Sequence, residues 1–170
     1  MNLENHMNSN IDLIRNRRSI RTYTEQLVAR ETIEQIVDCA RMAPTAMNEQ
    51  PWDFVVITEK AALASIPPML GHGEFIANSA FAILVLSKDT MYSLEDCSAA
   101  IENLLLAAAA YGIGSCWVAG SKQAYAPKVA SAFGAPADRQ LIAIVSFGYP
   151  AESPQIDKRP LGNVLHWELF

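Results

Sequence analysis

The stretch from Leu94 to Tyr111 constrains this chain more than any other. Alanine, leucine and isoleucine cover most faces of a helix here, and such a helix has to be surrounded by other elements or by lipid. Between Ala99 and Gly120 the apolar run is broken by Glu102, Asn103, Gly112, Gly114 and Gly120, too often for a membrane span. The reading is therefore a buried central helix followed by a loop, with the alanines at 107–110 allowing close packing.

The remaining elements must be those that can wrap such a helix. Ile33, Ile36, Val37 and Ala40 repeat with helical spacing, so Glu31 to Met42 reads as an amphipathic helix that stops before Pro44. A shorter helix is expected from Ile11 to Arg17, with Ser9 or Asn10 as its cap, and another around Lys128 to Phe133, between Pro127 and Gly134. Strands are expected at Asp53 to Thr58, Phe81 to Leu86 and Gln140 to Phe147, with an extended piece in G-I-G-S-C-W-V-A-G. The prolines and glycines of S-I-P-P-M-L-G-H-G-E predict a loop. Helices and strands mix without strict alternation, which favours an α+β fold. At 170 residues the chain reads as a single domain, 1–170.

Arg15, Arg17, Arg18 and Arg21 place four of the chain's 13 basic residues in one short segment, although the formal net charge is −5. Arginine's planar fork suits phosphate, and Ser19 adds a hydroxyl. The same segment could equally be a solvated helix end that complements the C-terminal dipole. The acidic balance argues against nucleic-acid binding. Cys39, Cys97 and Cys116 form no paired motif and lie at no ligand-like spacing from the three histidines. Reduced thiols, a cytoplasmic location and no metal are expected. The polar N-terminus lacks the apolar core of a signal peptide. Gly112-Ile-Gly114 begins like a dinucleotide fingerprint, but Trp117 stands at the third glycine and the motif follows a helix.

Four segments in order change the picture: R-R-S-I-R (Arg17 to Arg21), A-P-T-A-M-N-E-Q-P-W (Ala43 to Trp52), G-I-G-S-C-W-V-A-G (Gly112 to Gly120), and G-Y-P with the later K-R-P-L-G-N-V-L-H-W. Together they resemble the nitroreductase family of flavin enzymes. The resemblance implies a mostly antiparallel sheet flanked by helices, and a homodimer with FMN at the subunit interface. By position, Arg17, Arg18 and Ser19 would meet the phosphate and ribityl chain. Arg21 would approach the pyrimidine edge, where positive charge stabilises the reduced, anionic ring. Lys158 and Arg159 would close on the phosphate. Pro44, Thr45, Ala46 and Asn48 would reach the partner's flavin, with Gln50 in support. Trp117, Val118, Ala119 and Gly120 would lie along the ring, and the tail from Val164 to Phe170 would pack on the other subunit.

The implied activity is ping-pong transfer from NADH or NADPH through FMN to a nitroaromatic, a quinone or a similar small-molecule acceptor. Its alternative is a flavin-binding redox sensor or carrier. With a flavin at work no protein acid or base is required, so no residue is assigned a catalytic role. The chain departs from the family pattern in its short stretch between Lys60 and Thr90, too brief for a large lid. It also has Thr45 in place of a common serine, and Glu49 near the presumed site. Cys116 is read as a small buried residue, Trp52 as a packing anchor, and His72 as a surface-loop residue. Tyr111, Tyr125 and Trp167 are read as core or interface.

Overall fold

The computed structural model describes residues 3–170, with side chains from Asn10 onward. Five helices, α1 (Leu3–Asn16), α2 (Arg30–Ala40), α3 (Lys60–Leu70), α4 (Ser93–Ala110) and α5 (Ala126–Ala132), accompany four strands. The strands are β1 (Trp52–Ile57), β2 (Phe81–Lys88), β3 (Gly114–Ala119) and β4 (Arg139–Gly148). They form one antiparallel sheet in the order β1-β2-β4-β3. β2 and β4 are interior strands and buried along almost their whole length, which is why both read as continuous apolar runs.

Each face of the sheet is covered, giving the expected α+β architecture. On one face, Ile33, Ile36 and Ala40 of α2 join Cys97, Ala100, Ile101, Leu104 and Ala108 of α4 over Ile83, Val85, Val145 and Phe147. On the other, Leu63, Ile66 and Leu70 of α3 and Val129 of α5 pack on Leu84, Val118 and Ile144. The long apolar helix thus buries one stripe against the sheet and α2, while Leu106 and Ala107 stay half-buried and Leu94 exposed; no described helix is long and apolar enough to cross a membrane.

Two expectations fail. Ser9 and Asn10 do not cap a helix: α1 runs from Leu3 to Asn16 and carries both inside it. A side chain able to cap does not start a helix when the preceding residues can also be helical. Of the loop expected from Ser65 to Glu74, the part up to Leu70 is the second half of α3, which passes through Pro67 and Pro68. Each proline forgoes an intrahelical hydrogen bond, yet Ile66, Pro67 and Leu70 are buried, and that burial outweighs the loss. The helix ends only at Gly71, whose φ of 75° provides the left-handed cap.

Candidate functional site

The arginine segment leaves α1 and runs beside β3, the free edge of the sheet. Ser19 bridges Ser115 in parallel register, and the Ile20 N–H donates to the Ser115 carbonyl at 2.9 Å. Two glycines make this approach possible. Gly114 and Gly148 face each other across β3 and β4. A Cβ on Gly114 would lie 2.7 Å from Ile20, and one on Gly148 would lie 2.9 Å from the Tyr23 ring. Ile20 and Tyr23 fill that space. The Tyr23 hydroxyl donates to the Ile20 carbonyl at 2.6 Å and lies 2.8 Å from Ser146 Oγ; burial raises its pKa above the usual tyrosine range.

From this anchored ribbon the polar side chains spread. Arg17 and Arg18 line a recess with Ile113, Gly114, Ser115 and Glu152. Arg17 Nε lies 3.5 Å from Glu102 Oε1 of α4, and Arg18 donates to the carbonyls of Arg15 and Arg17 at 2.7 and 2.9 Å. Arg21 points elsewhere: its Cζ is 5.9 Å from the centroid of Phe75, and both border a second recess with Tyr23 and Asn78. The structure therefore separates Arg21 from the two leading arginines.

Glu152 is a residue the sequence reading missed. Its Oε1 accepts from the backbone N–H groups of Arg21 and Thr22 at 2.5 and 3.0 Å. These bonds, the Arg21 N–H first, hold the carboxyl below the usual glutamate range. The one available signal was its position two residues after G-Y-P, where the chain turns back along the arginine segment.

The β3 residues contribute less freely. Trp117 is partly exposed, whereas Val118 faces the core. The Ala119 carbonyl accepts from the Tyr125 hydroxyl, and the Gly120 N–H donates to Ile142 at 2.9 Å. A Cβ at Gly120 would meet Leu141 at 2.8 Å. Cys116 is buried at 2% exposure, and burial raises its thiol pKa, which suits a packing residue and not a nucleophile. Trp52 is buried as expected, and His72 is exposed and meets the Tyr125 ring edge-on.

The loop from Pro44 to Gln50 lies at the other end of α4. Ala46, Met47 and Asn48 form a 3-10 turn. Met47, Asn48 and Gln50 have φ of 51°, 58° and 47°, a region costing non-glycine residues on the order of 1 kcal/mol or more each. Thr45 Oγ1 accepts from the Gln50 N–H at 3.3 Å, and Gln50 Nε2 donates to the Asn48 carbonyl at 3.4 Å. Asp96 Oδ1 accepts from the Ala46 N–H at 3.1 Å. Asp96 was also missed, although its place on the buried stripe with Ala100 and Leu104 was visible in the spacing.

Lys158 and Arg159 lie in an exposed segment and pair with no described acid. The tail after them leaves Leu165, Trp167, Leu169 and Phe170 exposed, so Trp167 is not core, and neither is Tyr111. No group of three or more histidine, cysteine or acidic side chains able to hold a metal occurs among the described residues. Two arginines in the recess at a strand edge, next to a serine bridged to that strand, are a donor set that fits a phosphate-bearing cofactor.

A sequence profile of the Nitroreductase family matches residues 14–149. An Archaeoglobus fulgidus protein provisionally named NADH dehydrogenase/NAD(P)H nitroreductase is 35% identical over 149 residues, 84% of this chain and 86% of that one. A provisionally named NADH dehydrogenase/NAD(P)H nitroreductase from Bacteroides thetaiotaomicron superposes with a TM-score of 0.90 at 29% identity, covering 95% of this chain and 98% of that one. A provisionally named nitroreductase from Desulfovibrio desulfuricans, solved in complex with FMN, superposes with a TM-score of 0.81 at 30% identity, covering 95% and 97%.

Proposed function

Because the chain belongs to the nitroreductase family, we propose that it is an FMN-dependent oxidoreductase taking electrons from NADH or NADPH. The acceptor is a nitroaromatic, a quinone or a related small electrophile. The observation that carries this reading is the placement of Arg17 and Arg18 in the recess at the β3 edge, with Ser19 bridged to the same strand; cationic forks set side by side there suit a phosphate.

Bound FMN supplies hydride acceptance from the nicotinamide and electron delivery to the acceptor. The chain's own residues bind and orient it. Arg17, Arg18 and Ser19 hold the phosphate and ribityl end, with Lys158 and Arg159 closing from the tail. Arg21, set apart beside Phe75, places positive charge at the pyrimidine edge and so favours the reduced ring. Trp117 to Gly120 lie along the ring. Donor and acceptor use one place in turn, which gives ping-pong kinetics and parallel reciprocal plots.

The reading includes a homodimer. Asp96, which holds the Pro44–Gln50 loop, and Ala109, near the arginine recess, lie thirteen residues apart on α4, about 20 Å along its axis. One chain's loop thus serves its partner's flavin better than its own. The arginine recess has a volume of about 240 Å³ and the recess beside Arg21 about 700 Å³, and both lie at the surface, where another subunit can add a wall. The exposed apolar tail is suited to cover that subunit. Nucleic-acid and membrane partners are not part of the reading, and unpaired thiols support a cytoplasmic setting for this single domain.

The test is the visible spectrum of the purified protein, before and after NADH or NADPH without oxygen. A flavin spectrum that bleaches is expected. Flavin that binds yet stays oxidised would favour a sensor or carrier, a reading supported by α3 and the Glu74–Asn78 turn packing on the sheet instead of forming a lid. A colourless protein that refuses added FMN would end the flavin reading.

A further inference from the structure

Asp96 stands out because it places an acid on the buried stripe of α4, among Cys97, Ala100 and Ile101. It is 6% exposed. Burying a carboxylate is unfavourable unless its oxygens are bonded, and only half of this one is. Oδ1 accepts from the Ala46 N–H at 3.1 Å, while Oδ2 is buried with no donor among the described residues. Within the chain, all of the directed bonding of this side chain therefore goes into the Pro44–Gln50 loop.

That loop needs an outside anchor. Met47, Asn48 and Gln50 hold left-handed backbone without being glycine; of its internal bonds, that from the Glu49 N–H to the Ala46 carbonyl is 3.0 Å, and those at Thr45, Asn48 and Gln50 are long, at 3.3 to 3.4 Å. Such geometry persists only where the surroundings impose it. Pro44, Asn48 and Gln50 are themselves exposed and supply little packing. Thr45 and Ala46 are half-buried, and the bond to Asp96 is the hydrogen bond that ties the turn to the body among the described residues.

We propose that Asp96 is a positioning residue for the flavin site of the partner subunit, acting through the Ala46 N–H on the loop that closes that site. The inference rests on the FMN dimer described above. It assigns a role in trans: Asp96 shapes not the arginine recess of its own chain, about 20 Å away along α4, but the one its loop would meet on the partner.

Flavin retention by the full-length dimer tests this. Asp96→Ala should weaken FMN binding about tenfold, the effect of one hydrogen bond whose half-buried donor is left unpaired. Asp96→Asn keeps the acceptor and should stay near wild type. Ala46→Pro removes the donor N–H without touching the core. Thr45 already has the extended backbone that precedes a proline (φ −134°, ψ 151°). It should reproduce the loss and add little to it when combined with Asp96→Ala.

The decisive arm co-expresses Asp96→Ala with Arg17→Ala chains. In their heterodimer both lesions fall in one site and the other site is intact, so one tightly bound flavin per dimer should return. If Asp96 acted on its own chain's site, each site would carry one lesion and nothing would be regained. Wild-type retention by Asp96→Ala, an asparagine variant as weak as the alanine one, or no recovery in the heterodimer would each overturn the proposal. A wild-type protein that refuses FMN would instead overturn the flavin reading itself.

Discussion

The two halves of the candidate site are built in opposite ways. The arginine segment is laid against the sheet: Ile20 and Tyr23 fill the space over Gly114 and Gly148, Ser19 pairs with Ser115, and Glu152 takes two backbone N–H groups. The Pro44–Gln50 loop stands out from the body with three non-glycine residues at positive φ, tied by one carboxylate. The first half owes its shape to close packing. The second depends on a single polar contact and keeps backbone groups and amide side chains exposed. On the reading proposed above, a rigid phosphate site and a loop reaching to another subunit make those two demands.

The comparison can be broken first at its most crowded point. Gly114→Ala would force a Cβ to 2.7 Å from Ile20, and the β-strand backbone beneath it has little room to yield. We expect a loss of about 1–3 kcal/mol in unfolding free energy and poor flavin retention, read by denaturant titration and absorbance. Gly162→Ala, with nothing within 4 Å of its Cβ, serves as the control. Equal stability of the two variants would show that the segment is not held by packing.

Charge comes next. Arg17→Ala should reduce FMN affinity about tenfold to a hundredfold, the range for a hydrogen bond to a charged group. Arg30→Ala, which breaks only an exposed i,i+4 pair with Glu34, should leave it unchanged. Equilibrium dialysis of both variants decides the matter, and equal retention would remove the phosphate role from Arg17.

On the loop side, Met47→Gly should raise the melting temperature, since glycine holds a φ of 51° without the penalty of about 1 kcal/mol that a side chain meets there. A lower melting temperature would mean that the Met47 side chain packs more than its exposure suggests.

The smallest effect is the response to acid. The folded pKa of Glu152 is depressed by the Arg21 N–H. Its contribution is therefore full above the ordinary glutamate range and is lost as pH falls through its lower folded value. Melting curves of wild type and Glu152→Gln should converge on acidification and differ at neutral pH. A constant gap would show that Glu152 does not titrate with the segment it holds.

Much of this was legible beforehand. The apolar runs at Phe81 to Leu86 and Gln140 to Phe147 are the interior strands because burial on both faces demands continuous hydrophobicity. The expected helix from Leu94 to Tyr111 is α4 within one residue at each end. The breakers misled where packing outweighed them: Pro67 and Pro68 sit inside α3 because its buried face rewards continuing the helix.

By itself, then, the sequence determined the long apolar helix, the strand positions, the concentration of arginine in one segment and the family pattern. Those depend on local periodicity and on residue type at fixed spacing. Only the tertiary structure decided that Gly114 and Gly148 face one another, that Glu152 grips a segment 130 residues away in sequence, and that Asp96 holds a loop 50 residues before it. Such contacts join distant parts of the chain through single hydrogen bonds or missing Cβ atoms, and they leave no periodic trace. They exist only once the sheet register has brought β3, β4 and α4 into place.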